Sequence, residues 1–177
     1  MAKKTYQIQI ALKGVKPKIW RRVLVDSDIS LNDFHNIIQA AMGWTNSHLH
    51  SFSDGFEEYA PEDLEIDDTI DSETVKLDEI LQVEKDKITY EYDFGDGWEH
   101  NIILEKILLP DTKLQMPRCI AGKRNCPPED CGGIWGYEDL LEILKQPDHE
   151  QYKEYKDWLG DEFDPEYFDM DEINDML

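Results

Sequence analysis

The chain has 177 residues, 40% of them hydrophobic, with five Trp, eight Tyr and six Phe, a composition that excludes intrinsic disorder and suffices for one buried core. No run of eighteen apolar residues occurs, and the opening MAKKTYQIQIALKG alternates instead of forming an apolar block, which excludes a membrane span and a secretory leader from the expectation. A formal net charge of −22 disfavours nonspecific binding to phosphate backbones, because the summed field repels polyanions.

In chain order, Tyr6, Ile8, Ile10 and Leu12 share one face of a half-buried strand over residues 5–12. Gly14 to Pro17 then turn the chain, and residues 19–25 (IWRRVLV) read as its hairpin partner. Ser30 with Asp33 three residues on opens a helix whose apolar face is Leu31, Phe34, Ile37, Ile38, Ala41 and Met42. Gly43 stands where a helix C-cap belongs. Residues 48–52 read as a strand, and residues 54–74 as an acidic surface excursion without periodicity. Leu77, Ile80 and Leu81 suggest a short helix. Residues 88–94 (ITYEYDF) alternate strictly, Gly95-Asp96-Gly97 turns the chain, and residues 98–109 return as the partner strand.

Residues 110–136 hold four of the eight prolines, four of the ten glycines and all three cysteines, and read as one long loop of the kind that carries function. Helices follow over Tyr137–Lys145 and around Tyr152, Tyr155, Trp158 and Leu159, ended by Gly160. The acidic tail from Asp161 carries Phe163, Tyr167, Phe168 and Ile173, so part of it is expected to pack back. The pattern predicts a single α+β domain over residues 1–177, a largely antiparallel sheet with three to four helices mainly on one face.

The charge is unevenly spread. Residues 54–86 hold 14 acidic and 2 basic residues, and residues 148–177 hold 12 and 2, whereas residues 1–53 carry 7 basic and 3 acidic. The basic stretch Lys13, Lys16, Lys18, Arg21 and Arg22 is expected to pair with the acidic tail.

Three constellations could carry chemistry. His48 and His50, two apart on a strand, would project together as ligands for a borderline metal; the bland alternative is a pair of structural histidines. Asp93, Asp96, Trp98 and His100 gather carboxylates and an imidazole around one tight turn, although Asp96-Gly97 has an ordinary turn role. No Gly-rich or catalytic-loop motif accompanies the Asp-Phe-Gly string, so it is not a kinase signature. The third, CIAGKRNCPPEDCGGIWG, places Cys119, Cys126 and Cys131 at spacings unlike a zinc knuckle, with Glu129 and Asp130 between the last two. Three clustered cysteines in a reducing cytosol read as thiols or ligands rather than bridges. Gly132 and Gly133 before a helix could present N–H groups to an anion, but the neighbouring acids argue against a phosphate. Serine-hydrolase, P-loop, zincin and dinucleotide fingerprints are missing from the sequence.

The strings KPKIWRRVLV, LNDFHNIIQAAMGWTNSHLHSF, YEYDFGDGWEHNI and CIAGKRNCPPEDCGG, in this order, resemble the Ri-plasmid open-reading-frame-three-like family, from Tyr6 to about Phe168. The resemblance implies an α+β domain and a link to mobile elements, since members also occur as resolvase-labelled passengers of insertion elements. It implies little about activity, and the chain shows neither a serine-recombinase context nor a helix-turn-helix. Matching positions include Trp20, Arg21, His35, Gln39, Trp44, His48, His50, Asp93, Asp96, Trp98, His100, Cys119, Glu129 and Asp130.

Three functions are therefore expected, in this order. The first is a non-enzymatic module that binds a protein partner. The second is a metal site drawn from His48, His50, His100, Cys119, Cys126, Cys131, Glu129 and Asp130, with zinc as candidate and water activation by Glu129 or Asp93 if a coordination position stays open. The third is an accessory role on nucleic acid through residues 13–22.

Overall fold

The structure is a computed structural model that describes residues 3–64 and 66–177. Its frame is an eight-stranded sheet in the order β5-β4-β3-β6-β7-β1-β2-β8. The strands are β1 (Thr5–Leu12), β2 (Trp20–Asp26), β3 (His50–Ser53), β4 (Glu58–Ala60), β5 (Thr69–Asp71), β6 (Lys87–Tyr92), β7 (Trp98–Leu108) and β8 (Arg118–Lys123). All neighbours run antiparallel except β4 and β5. The helices are α1 (Leu31–Met42), α2 (Leu77–Ile80), α3 (Gly133–Leu144), α4 (Tyr152–Leu159) and α5 (Met170–Met176).

One face of the sheet is covered. Along β7, Trp98, His100, Ile102 and Leu104 are buried, while Glu99 and Asn101 between them are exposed. On β1 the buried set includes Tyr6, Ile8, Ile10 and Leu12, as the alternation requires. The opposite face is polar, and there Glu105 receives Arg22 at 2.5 and 2.9 Å and Gln7 at 2.8 Å.

Helix α1 forms where its sequence marks it. Ser30 Oγ accepts from the Asp33 N–H at 3.0 Å, and Gly43 closes the helix at φ 99, a left-handed cap that favours glycine. Its six apolar positions are all buried, each large one worth about 1.5–3 kcal/mol gross. The same face also buries His35 and Gln39.

The structure corrects several expectations. Helices number five among the described residues, because the tail adds α5. That helix has too few residues to show periodicity; Asp169 caps it and Ile173 anchors it. Within residues 54–74 lie β4, a 3-10 turn and β5, and within 110–136 lies β8. Strand β8 lacks apolar alternation, since Cys119 is its one buried side chain. Instead Asn174, on α5, brackets it: its side-chain amide accepts from the Cys119 N–H at 2.8 Å and donates to the Cys119 carbonyl at 2.9 Å.

The basic stretch does not pair with the tail as expected. Arg21 is 3% exposed and donates to the Ala41, Trp20 and Lys123 carbonyls, with the tail's Phe168 ring 5.0 Å beneath its guanidinium. Arg22 and Lys13 pair with Glu105 and Glu99 of β7. None of the described helices is long and apolar enough to cross a membrane.

Candidate functional site

Three sequence motifs converge at one end of β6 and β7. The segment after α1 supplies Thr45, Ser47 and His48; the β6–β7 turn supplies Asp93 and Asp96; the loop before α3 supplies Glu129 and Asp130. His48 Nε2 stands 2.8 Å from Asp130 Oδ1, 3.4 Å from Glu129 Oε2 and 3.7 Å from Asp93 Oδ2. Despite that 2.8 Å approach, the contact lacks hydrogen-bond alignment, and the buried Nε2 has no hydrogen-bond partner among the described residues.

Each arm is held by local chemistry. Asp93 donates its N–H to the Leu49 carbonyl at 2.8 Å, while its Oδ1 accepts from Gly95 at 3.0 Å and Asp96 at 3.3 Å. Its Oδ2 is thereby aimed at His48. Glu129 reaches across from the last loop, accepting from the Thr45 N–H at 2.7 Å and the Tyr92 hydroxyl at 3.0 Å. Tyr92 in turn accepts from the Ser47 N–H at 2.9 Å, and burial, together with Glu129, pushes its phenol up, so it serves as a donor. Asp96 joins the turn to the α3 start by accepting from the Gly132 N–H at 3.2 Å. That contact occupies one of the two N–H groups, those of Gly132 and Gly133, that the sequence offers to an anion.

Asn46, Asp93 and Asp130 take the left-handed backbone at φ 54, 60 and 58. Asn and Asp adopt it more readily than other non-glycine residues, because their short polar side chains hydrogen-bond locally.

Behind the cluster lies a second, buried polar network. His35 Nε2 donates to Asn46 Oδ1 at 2.9 Å, so its Nδ1 accepts from the Tyr90 hydroxyl at 2.8 Å. Gln39 donates to that hydroxyl at 2.9 Å, and its own oxygen accepts from the Asn46 N–H at 2.8 Å. The network fixes the backbone that delivers Ser47 and His48. Removing the hydroxyl by Tyr90→Phe leaves Gln39 and His35 short of a partner and is expected to cost about 1–3 kcal/mol. Urea unfolding measures it, and an unchanged midpoint would show that the hydroxyl contributes nothing.

The remaining sequence candidates sit elsewhere. Strand β3 begins at His50, so His48 precedes it and the two imidazoles do not share a strand face. His50 stacks on His35 at 3.4 Å between centroids, and burial holds it neutral, with its pKa down to about 3. His100 is fully buried between Tyr90 and Trp44, its pKa lowered to about 4, and it does not touch Asp96 as a hydrogen-bond partner. Trp98 packs on Trp44 in the core. Cys119, Cys126 and Cys131 are unbridged thiols; burial raises all three, Cys131 to about 12, which disfavours the thiolate a metal requires. Among the described residues, the His/Cys/Asp/Glu group compact enough to share one ion is His48, Asp93 and Asp130. Thr45, Ser47 and Tyr92, which orient Glu129, carry no sequence signal beyond their place beside the motifs.

Comparison with known proteins adds kinship. An uncharacterized protein, y4hQ, of Sinorhizobium fredii is 40% identical over 164 residues, spanning 90% of this chain and 83% of its own. The crystal structure of a protein of unknown function, MM3350 from Methanosarcina mazei Go1, superposes with a TM-score of 0.87 at 40% identity, over 97% of this chain and 98% of that one. Residues 4–172 match the family described as plasmid pRiA4b ORF-3-like, and that span includes every residue of the cluster and of the network behind it. The chain belongs to the plasmid pRiA4b ORF-3-like protein family.

Proposed function

We propose that this chain is a metal-binding domain, holding one first-row divalent cation between His48 Nε2, Asp93 and Asp130, with Glu129 beside them. The observation that carries this reading is the unaligned imidazole nitrogen facing three carboxylates at 2.8–3.7 Å. Ligand atoms bound at about 2.0–2.2 Å to one ion stand roughly 3–3.5 Å apart, close to this spacing. One nitrogen with oxygens suits zinc or manganese better than calcium. Three protein ligands leave positions for water, so metal-assisted hydrolysis is the reaction class this centre would admit.

The test is calorimetric titration of chelator-treated protein with Zn²⁺ and Mn²⁺, paired with melting curves. A hundredfold excess over the dissociation constant is expected to add about 2.7 kcal/mol of stability. His48→Ala and Asp93→Asn should each weaken binding at least tenfold, about 1.4 kcal/mol. Equal heats and equal melting shifts in parent and variants would overturn the reading.

A second reading, docking of a protein partner encoded on the same mobile element, has one observation in its favour. Leu49 and Phe94, 46% and 41% exposed, flank His48 and Asp93 along one shallow recess.

A further inference from the structure

A second recess lies away from the cluster. The β1–β2 turn, α3, α4 and the start of the tail enclose a cleft of about 700 Å³, within the range that holds a small ligand. Its apolar lining includes Leu141 and Leu144 of α3 and Phe163 of the tail, and its polar lining includes Lys16, Arg124 and Lys156.

Arg124 is the built part of this site. It is 3% exposed and takes the left-handed backbone at φ 69, a conformation an arginine adopts only under constraint. Nε donates to Glu166 at 2.8 Å and Nη1 to the Pro17 carbonyl at 2.5 Å, which fixes the guanidinium and leaves Nη2 outside those bonds. Lys16 and Lys156 make no ion pair among the described residues, whereas Lys145 at the same rim is engaged by Glu142 at 2.6 Å. Four cations and three carboxylates line the cleft, a local excess of positive charge in a chain of net −22.

One fixed guanidinium and two lysines without an ion pair among the described residues, above an apolar wall, match a ligand with an anionic head and an apolar body. We infer that this cleft binds an amphipathic monocarboxylate, with the carboxylate between Lys16, Lys156 and Arg124 and the hydrocarbon along Leu141, Leu144 and Phe163. A compact head suits the site, because Glu138, Glu142 and Glu166 also line it and would repel a more highly charged anion.

The test uses dodecanoate below its micelle concentration, titrated into the intact chain and followed by calorimetry and amide chemical shifts. Dodecanol and dodecylammonium, with the same tail, serve as controls. Saturable dodecanoate binding is expected, at least tenfold tighter than either control, with shifts confined to the β1–β2 turn, Arg124, α3, α4 and the start of the tail through Glu166. Lys16→Glu with Lys156→Glu should weaken it at least tenfold. Both side chains lie at the rim, so the fold should survive, as circular dichroism would verify. Equal affinity for the three tails, unchanged affinity in the charge-reversed variant, or shifts elsewhere on the protein would each overturn the proposal.

Discussion

Replacing Gly136 by alanine is expected to destabilise the protein by about 3 kcal/mol, against the roughly 1 kcal/mol that alanine normally contributes inside a helix. Gly136 lies in the first turn of α3, where the Cys131 carbonyl packs directly on its Cα side. A Cβ there would overlap that carbonyl oxygen and stand 2.9 Å from its carbon, and both atoms are backbone, unable to rotate away. Gly133 meets the Asp96 carbonyl in the same manner and also takes φ 71, so Gly133→Ala should be at least as costly. These two contacts seat the helix start against the loop that delivers Glu129 and Asp130 and against the turn that delivers Asp93. On the proposal of a metal centre, both variants should also bind Zn²⁺ more weakly than the parent. Urea unfolding beside an exposed control on the same helix, Asp139→Ala, separates the effect from propensity. A Gly136→Ala protein as stable as its parent would show that the loop can move aside.

Acidification should weaken the fold between pH 6.5 and about 3, with His50 and His100 the main contributors and His100 acting down to about 4. Burial lowers the His100 pKa to about 4 from the ordinary 6.5, while its backbone hydrogen bonds to Tyr90 and Trp98 work the other way. The folded chain thus keeps the ring neutral where the unfolded chain binds a proton. Its contribution is complete above pH 6.5 and is lost as pH falls through that window, levelling off below about 4. At about 1.4 kcal/mol per pH unit, the full loss is roughly 3 to 4 kcal/mol. His35, lowered by burial as well, and His50, lowered to about 3 by burial and by the neighbouring His35, add in the same direction. Relief of repulsion among 40 acidic side chains opposes the trend, so the informative quantity is a difference. His100→Gln removes the titration while keeping a polar side chain, and its stability should fall less steeply with pH than the parent's. Identical slopes between pH 6.5 and 5 would remove His100 as the cause.

Much of the frame was legible because its signals are local. Strict alternation in TYQIQIAL and ITYEYDF, the Ser30 cap and Gly43 identify β1, β6 and α1 without help from tertiary structure. Strand β8 and helix α5 were not legible, because each is stabilised by the other through Asn174 and neither has an apolar period of its own. The site divides in the same way. Asp93, Glu129, Asp130 and His48 could be singled out as polar residues on turn-rich segments. Their separation from His50 could not, since it depends on where β3 begins. The cysteines attracted attention by clustering in sequence, yet the fold buries Cys119 and Cys126 in the core and leaves Cys131 half-buried against it. His35 and Gln39 sit on an apolar helix face, and their role follows only from Tyr90 and Asn46 arriving opposite them.

The Asn174 amide has a wider meaning for how copies of this protein meet. An outermost strand offers unpaired peptide groups to any passing extended chain, which is a route to aggregation. At one margin of the sheet, the Asn174 side chain occupies both groups of Cys119 as a neighbouring peptide would. At the other margin, β5 has only three residues and lies within the most acidic part of the chain. One border is plugged and the other is too short and too negative to template growth. The Asn174 amide at one margin and the acidic stretch around β5 at the other thus help keep the sheet from recruiting more strands.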